Sequence, residues 1–140
     1  MARPQVNIAI VGTGFIAETR ARAYAGVSGY EPRLVAAVSR TRERLENYAR
    51  RQGIPDTYTQ LEPVLERSDV QVVDLCVPNH LHRPMAELAA AAGKHVICSK
   101  PLTAFDGVGL PDDVAVADVP RAQMLREAEA SATAMIDASK

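Results

Sequence analysis

Ile8-Ala9-Ile10-Val11-Gly12-Thr13-Gly14-Phe15-Ile16-Ala17 is the stretch that decides the fold of this chain. Four apolar residues read as the end of a buried strand, and two glycines follow where the chain turns into a helix. Gly12 lets the backbone leave the strand tightly, and Gly14 carries no Cβ to hold an anion away from the main chain. Ala17 stands in the third-glycine position of a G-x-G-x-x-A pattern and keeps the helix close to the sheet. The free N–H groups and positive dipole end of that helix attract a phosphate without any charged side chain. Glycines also mark ordinary strand-to-helix turns. The strand before and the helix after favour reading this one as a dinucleotide-phosphate turn.

Outward from the turn, strands and helices alternate. Residues 6–11 form the first strand, and residues 15–25 a helix that stops near Gly26 and Gly29. A second buried strand covers residues 34–38, followed by a helix that Thr41 is placed to cap, running to residue 51 and closed by Gly53 and Pro55. Residues 61–66 make a short crossover helix, and residues 70–77 a strong strand stopped by Pro78. Asn79 is placed to cap an alanine-rich helix over residues 80–92, ended by Gly93, before a last strand at 95–98. Near-continuous apolar strands between helices predict an α/β fold, a doubly wound parallel sheet with helices on both faces. Ligands of such sheets sit at the carboxyl ends of the strands. Gly12, Ser39, Pro78 and the Ser99-Lys100-Pro101 run all fall there.

Residues 102–119 break the rhythm. Gly107, Gly109, Pro111 and the aspartates 106, 112, 113 and 118 show no period, and the spacing matches no calcium loop, so a solvated loop is expected. A helix resumes at Arg121, with Leu125, Ala128, Ala132 and Met135 or Ile136 expected to face inward.

The whole chain sets bounds. Its 140 residues predict one domain, and 47% hydrophobic with 24% charged residues is ordinary for a globular protein. A formal net charge of −1 supplies no attraction for nucleic acid or an anionic membrane. No apolar run approaches the ~20 residues that span a bilayer, and the first residues lack a signal-peptide core. Cys76 and Cys98 make neither a disulfide framework nor a metal motif. They read as reduced, core-facing thiols of a cytoplasmic protein.

Two clusters carry chemistry. In NAD-specific sites a carboxylate at the end of the second strand accepts hydrogen bonds from the adenosine ribose. Here that strand ends in Ser39-Arg40, with no acid until Glu43. A hydroxyl and a guanidinium suit a 2′-phosphate, which a carboxylate would repel. The expected cofactor is therefore NADP in preference to NAD, with Arg44 counted among its candidate ligands. The alternative is that Arg40, Arg42 and Arg44 are an ordinary solvated helix start. The second cluster is Pro78-Asn79-His80-Leu81-His82, then Gly93-Lys94-His95-Val96, then Ser99-Lys100-Pro101-Leu102-Thr103. His82 reads either as a locally satisfied helix-start histidine or as a group at the nicotinamide end. Lys100 reads either as a solvated strand-end lysine or as a cation that hydrogen-bonds a substrate hydroxyl and stabilises developing negative charge.

The ordered set G-x-G-x-x-A, P-N-x-x-H, A-G-K-H-V and K-P-L-T, spanning residues 6–103, resembles the Gfo/Idh/MocA oxidoreductases. The resemblance implies an NAD(P)-binding Rossmann domain of an enzyme that oxidises or reduces a hydroxyl or keto group on a sugar, polyol or related small molecule. It implies a cofactor site of Gly12, Thr13, Gly14, Phe15, Ile16, Ser39, Arg40, Pro78, Asn79 and His82, joined by Ser99 and Pro101. Lys100 would be the catalytic-site lysine. Two departures stand out. Ser99 occupies the place of a usual acid, and the second, substrate-binding domain of such enzymes has no counterpart in residues 1–140. The chain alone is therefore expected to bind cofactor without turnover, with homo-oligomer formation open. A non-enzymatic sensor or partner-binding module that uses the same turn is the alternative.

Overall fold

The computed structural model describes residues 2–140. Strands β1 (Gln5–Val11), β2 (Glu31–Val38), β3 (Asp56–Tyr58), β4 (Val72–Leu75) and β5 (His95–Cys98) form one sheet in the order β3-β2-β1-β4-β5. Every pairing is parallel. The helices are α1 (Phe15–Tyr24), α2 (Arg42–Gln52), the one-turn α3 (Glu62–Leu65), α4 (His82–Ala91) and α5 (Arg121–Ala138). The chain winds outward from β1 through β2 to β3, then returns to add β4 and β5 on the other side of β1. Connections therefore diverge between the carboxyl ends of β1 and β4. That divergence opens a crevice.

The period-two alternation of strand side chains divides the core into two layers. Ala9, Val11, Ala36, Val38, Val73 and Leu75 pack with Ala86 and Ala89 of α4 and Met135 of α5. Ile10, Ala37 and Cys76 pack with Ala17 of α1 and with Leu45, Tyr48 and Ala49 of α2. Both sheet faces are thus covered, as the near-continuous apolar strands predict.

Local expectations differ from the structure at four places. β3 escapes a sequence reading because Asp56-Thr57-Tyr58 is short and half polar; its pairing with Ala36 to Val38 makes it a strand. Thr41 does precede α2, but its side chain makes no cap bond. Asn79 caps nothing: it lies in a 3-10 turn (Asn79–Leu81), and Leu81 is the residue before α4. In α5 the inward stripe is Met124, Ala128, Ala132 and Met135, while Leu125 is 59% and Ile136 53% exposed. This alanine-rich helix offers two adjacent apolar stripes, and its packing against α4 selects one. The 102–119 segment is irregular apart from a turn at Val116–Asp118, as expected. Thr103 Oγ1 fastens its start by donating to the Ala128 carbonyl (2.9 Å), and buried Val119 fastens its end.

Lys94 and Arg67 tie the turns at the opposite end of the sheet. The Lys94 ammonium donates to the carbonyls of Arg67 (2.6 Å) and Val70 (3.0 Å). Arg67 reaches Asp56 and Asp69, each at 2.7 Å, and so holds β3 against the approach to β4. The lysine of the A-G-K-H-V motif therefore serves the fold. Lys94→Met, which keeps the stem and removes both bonds, is expected to lower stability by about 1–3 kcal/mol. Urea unfolding measures this, and a midpoint equal to wild type would refute the assignment.

Candidate cofactor cleft

The two glycines of the turn do different things. Gly12 has a φ of 97°, open to glycine but strained for other residues, and its N–H donates to the Val38 carbonyl (2.8 Å). A Cβ there would collide with the carbonyl oxygen of Cys76, so Gly12 is required for β1, β2 and β4 to end side by side. Gly14 has an ordinary φ of −89°, and a Cβ there would meet nothing within 4 Å. The first hydrogen bond of α1 runs from Glu18 N–H to the Gly14 carbonyl (3.2 Å). The N–H groups of Phe15, Ile16 and Ala17 therefore have no partner earlier in the helix. Open space beside a helix start with free donors fits an oxygen-rich anion such as a pyrophosphate. Ala17 is fully buried, and its carbonyl accepts the Tyr48 hydroxyl (3.0 Å), so the third position keeps the helix tight. Burial pushes the Tyr48 phenol above its usual range and keeps it a donor.

The turn opens on a cleft of about 460 Å³ that runs along the carboxyl ends of the strands. Thr13 and Gly14 form its middle, Ser39 and Arg40 lie on the β2 side, and Pro78, Leu81, Met85 and Leu88 form the β4 side. Thr13 Oγ1 donates to Ser39 Oγ (3.3 Å), linking the glycine turn to the end of β2. Arg40 is exposed and makes no ion pair among the described residues. Thr59, Gln60 and Glu62, which follow β3, complete the wall. These three are invisible in the sequence because the strand that carries them is. The signal that would find them is position: the residues after the third strand of a doubly wound sheet reach the same crevice.

The remaining candidates lie outside that lining. Phe15 (82% exposed) and Ile16 (42%) stand next to Gly14 at the start of α1. Arg44 is exposed on the first turn of α2. Asn79 lines a separate hollow of about 180 Å³ with Arg83 and Thr103. Lys100 and Pro101, joined by a cis peptide bond, are exposed beyond β5, and Lys100 lies outside the cleft lining. His82 is fully buried. Its Nε2 lies 2.9 Å from the Val77 carbonyl and 3.2 Å from Ser99 Oγ, and its Nδ1 lies 3.1 Å from the Leu102 carbonyl.

A polar group that the sequence does not announce sits under α1. Asp74 of β4 is fully buried, accepts the Tyr24 hydroxyl at 2.6 Å and the Cys76 thiol at 3.6 Å, and lies 3.9 Å from Arg20 Nε. Burial, reinforced by the Asp74 charge, pushes the Cys76 thiol up to about 12 and raises Cys98 as well. Both cysteines are free and stay protonated thiols at neutral pH. Among the described residues no His, Cys, Asp and Glu side chains gather into a metal-holding group, and no helix is long and apolar enough to cross a membrane.

Comparison with known proteins extends this geometry to a lineage. The chain matches the Gfo/Idh/MocA model, described as an oxidoreductase family with an NAD-binding Rossmann fold, over residues 6–115. It is 35% identical over 104 residues to levoglucosan dehydrogenase of Pseudarthrobacter phenanthrenivorans, covering 69% of this chain and 26% of that protein. It is 29% identical over 96 residues to scyllo-inositol 2-dehydrogenase (NADP(+)) of Bacillus subtilis, covering 69% of this chain and 29% of that one. The solved structure of levoglucosan dehydrogenase in complex with NADH and L-sorbose matches with a TM-score of 0.76 and 27% identity, over 97% of this chain and 32% of that chain. The chain thus spans between 26% and 32% of the length of these relatives. A model match that starts at the first strand and takes in every strand of the sheet decides the assignment: the chain belongs to the Gfo/Idh/MocA oxidoreductase family and has that family's NAD-binding Rossmann fold.

Proposed function

We propose that this chain binds NADP(H) in preference to NAD(H), as the cofactor-binding part of an oxidoreductase acting on a hydroxyl or keto group of a sugar, polyol or related small molecule. The observation that carries the reading is the open space at Gly14, faced by the free donors of α1 and continuous with the cleft. Thr13 and Gly14 hold the pyrophosphate, and the adenosine half runs toward Ser39 and Arg40. A bound nicotinamide would supply the hydride chemistry. Lys100, at the end of β5, donates a hydrogen bond to the substrate oxygen and stabilises negative charge on it. Substrate choice is assigned to the length of the relatives that this chain does not span. Their printed names, levoglucosan and scyllo-inositol dehydrogenases, support a polyhydroxylated substrate class. The same reading puts the protein in the cytoplasm, where Cys76 and Cys98 remain free thiols.

The relatives divide on the phosphate: one structure holds NADH, whereas the Bacillus subtilis enzyme is named for NADP(+). The preference is therefore argued from this chain. No carboxylate stands at the end of β2, the Ser39 hydroxyl is held by Thr13, and the Arg40 guanidinium has no competing ion pair among the described residues. Titration calorimetry is expected to give an NADPH affinity at least about tenfold above that for NADH, since a charge-assisted bond to phosphate contributes roughly 1.5–3 kcal/mol. Arg40→Ala is expected to remove that difference and leave NADH binding unchanged. Equal wild-type affinities, or an Arg40→Ala variant that keeps the preference, would sink the assignment.

A further inference from the structure

His82 answers a question the sheet leaves open. β4 and β5 stop at Leu75 and Cys98, and the last main-chain bond between them is Ser99 N–H to the Leu75 carbonyl (3.3 Å). Beyond it, the loop carrying Pro78 and the segment carrying Lys100 have no ladder to fix their spacing. The adenosine half of a dinucleotide occupies the β2 side of the crevice, so these two loops form the nicotinamide side.

The buried imidazole joins them. One nitrogen faces Val77, just before Pro78, together with Ser99 Oγ, and the other faces Leu102, two residues past Lys100. A neutral ring has one N–H and one lone pair, and both of its nitrogens face oxygen here. In the tautomer with Nδ1–H donating to the Leu102 carbonyl, the unprotonated Nε2 accepts from the Ser99 hydroxyl and makes no bond to Val77. The ring's two bonds then both hold the Lys100 segment, and the ring belongs to the Pro78 side through its own place at the start of α4. Ser99 is thus part of the same device. The opposite sheet face has its own hold. Arg20 of α1, drawn by Asp74, donates to the Cys98 carbonyl (3.4 Å). Lys100 lies between a grip at Cys98 from one side and a grip at Ser99 and Leu102 from the other.

We infer that His82, with Ser99, is a positioning residue for the nicotinamide side of the cleft: it sets the Lys100 segment against the Pro78 loop without touching the cofactor. An apolar side chain would fill the same space and leave the Lys100 segment without either bond. The inference rests on the dinucleotide reading above.

The test compares two probes on the 140-residue chain: NADPH, and 2′-phospho-ADP-ribose, which has every part of the ligand except nicotinamide. NADH and ADP-ribose form the matching pair without the 2′-phosphate. In His82→Gln, NADPH affinity is expected to fall about tenfold, equivalent to one or two neutral hydrogen bonds, while 2′-phospho-ADP-ribose stays within about twofold. Ser99→Ala, which leaves the ring and both carbonyls in place, is expected to shift the same ratio by about threefold. It decides the matter if His82→Gln does not fold. A merely structural role would weaken both probes together, and that outcome, or an unchanged ratio in Ser99→Ala, overturns the inference. Wild-type chain that binds none of the four probes overturns the dinucleotide reading as well.

Discussion

Gly12→Ala is expected to destabilise the chain by about 2–5 kcal/mol, combining strain at a left-handed φ with forced overpacking. That is a large share of the roughly 5–15 kcal/mol that holds a domain together. The new methyl points into the main-chain carbonyl of Cys76 rather than into a movable side chain, so relief requires β1 and β4 to part at their carboxyl ends. Gly14→Ala is the contrasting case. Its φ of −89° suits alanine and its Cβ enters open space, so stability should change by no more than about 1 kcal/mol. Cofactor binding should still weaken at least about tenfold, because the methyl stands where the pyrophosphate approaches the backbone. Urea unfolding and NADPH titration on both variants separate the effects. A Gly12→Ala chain with the wild-type midpoint would disprove the packing argument. A Gly14→Ala chain with wild-type affinity would remove the pyrophosphate from that turn.

Asp74→Ala is expected to cost about 2–4 kcal/mol through loss of the acceptor at the centre of a buried polar group. The Tyr24 hydroxyl is left without its 2.6 Å partner, and the Cys76 thiol loses its own. Arg20 loses its counter-charge, but it is 31% exposed, so water takes up part of the deficit and the range stays below that of a fully enclosed pair. Pairing Asp74→Ala with Tyr24→Phe removes the stranded hydroxyl together with its acceptor. The double variant should therefore be about 1 kcal/mol more stable than the sum of the single changes implies. Urea midpoints at constant m-value report this. A single-variant loss under 1 kcal/mol, or strict additivity, would show that the group is incidental to stability.

The legible parts of this protein are those whose causes are local. Strand residues such as Ile8 to Val11 and Val72 to Leu75 declare themselves by apolar run length, and α4 by alanine content between Pro78 and Gly93. The glycine turn declares itself because the stereochemistry of Gly12 and Gly14 is a property of the backbone at those positions. β3 was illegible because three residues with one aromatic hold no period; only pairing with β2 makes them a strand. With β3 hidden, Thr59, Gln60 and Glu62 could not be assigned to the cleft wall. In α5 the periodicity admitted two stripes, and contact with α4 chose Met124 and Met135 over Leu125 and Ile136.

The sequence by itself determined the class of fold, the direction of the sheet and the shape of the glycine turn, because helix and strand periods and glycine stereochemistry act over a few residues. Tertiary structure decided what the polar residues do. It brought Thr13 to Ser39 across 26 positions, Tyr24 to Asp74 across 50, and His82 to Leu102 across 20. It turned Lys94 from a motif residue into a tie between turns, and it buried His82 beside the Ser99 hydroxyl and the Leu102 carbonyl. Such partnerships depend on which strands become neighbours and how helices sit on them. A side chain's hydrogen bonds are set by that packing, and no local pattern encodes it.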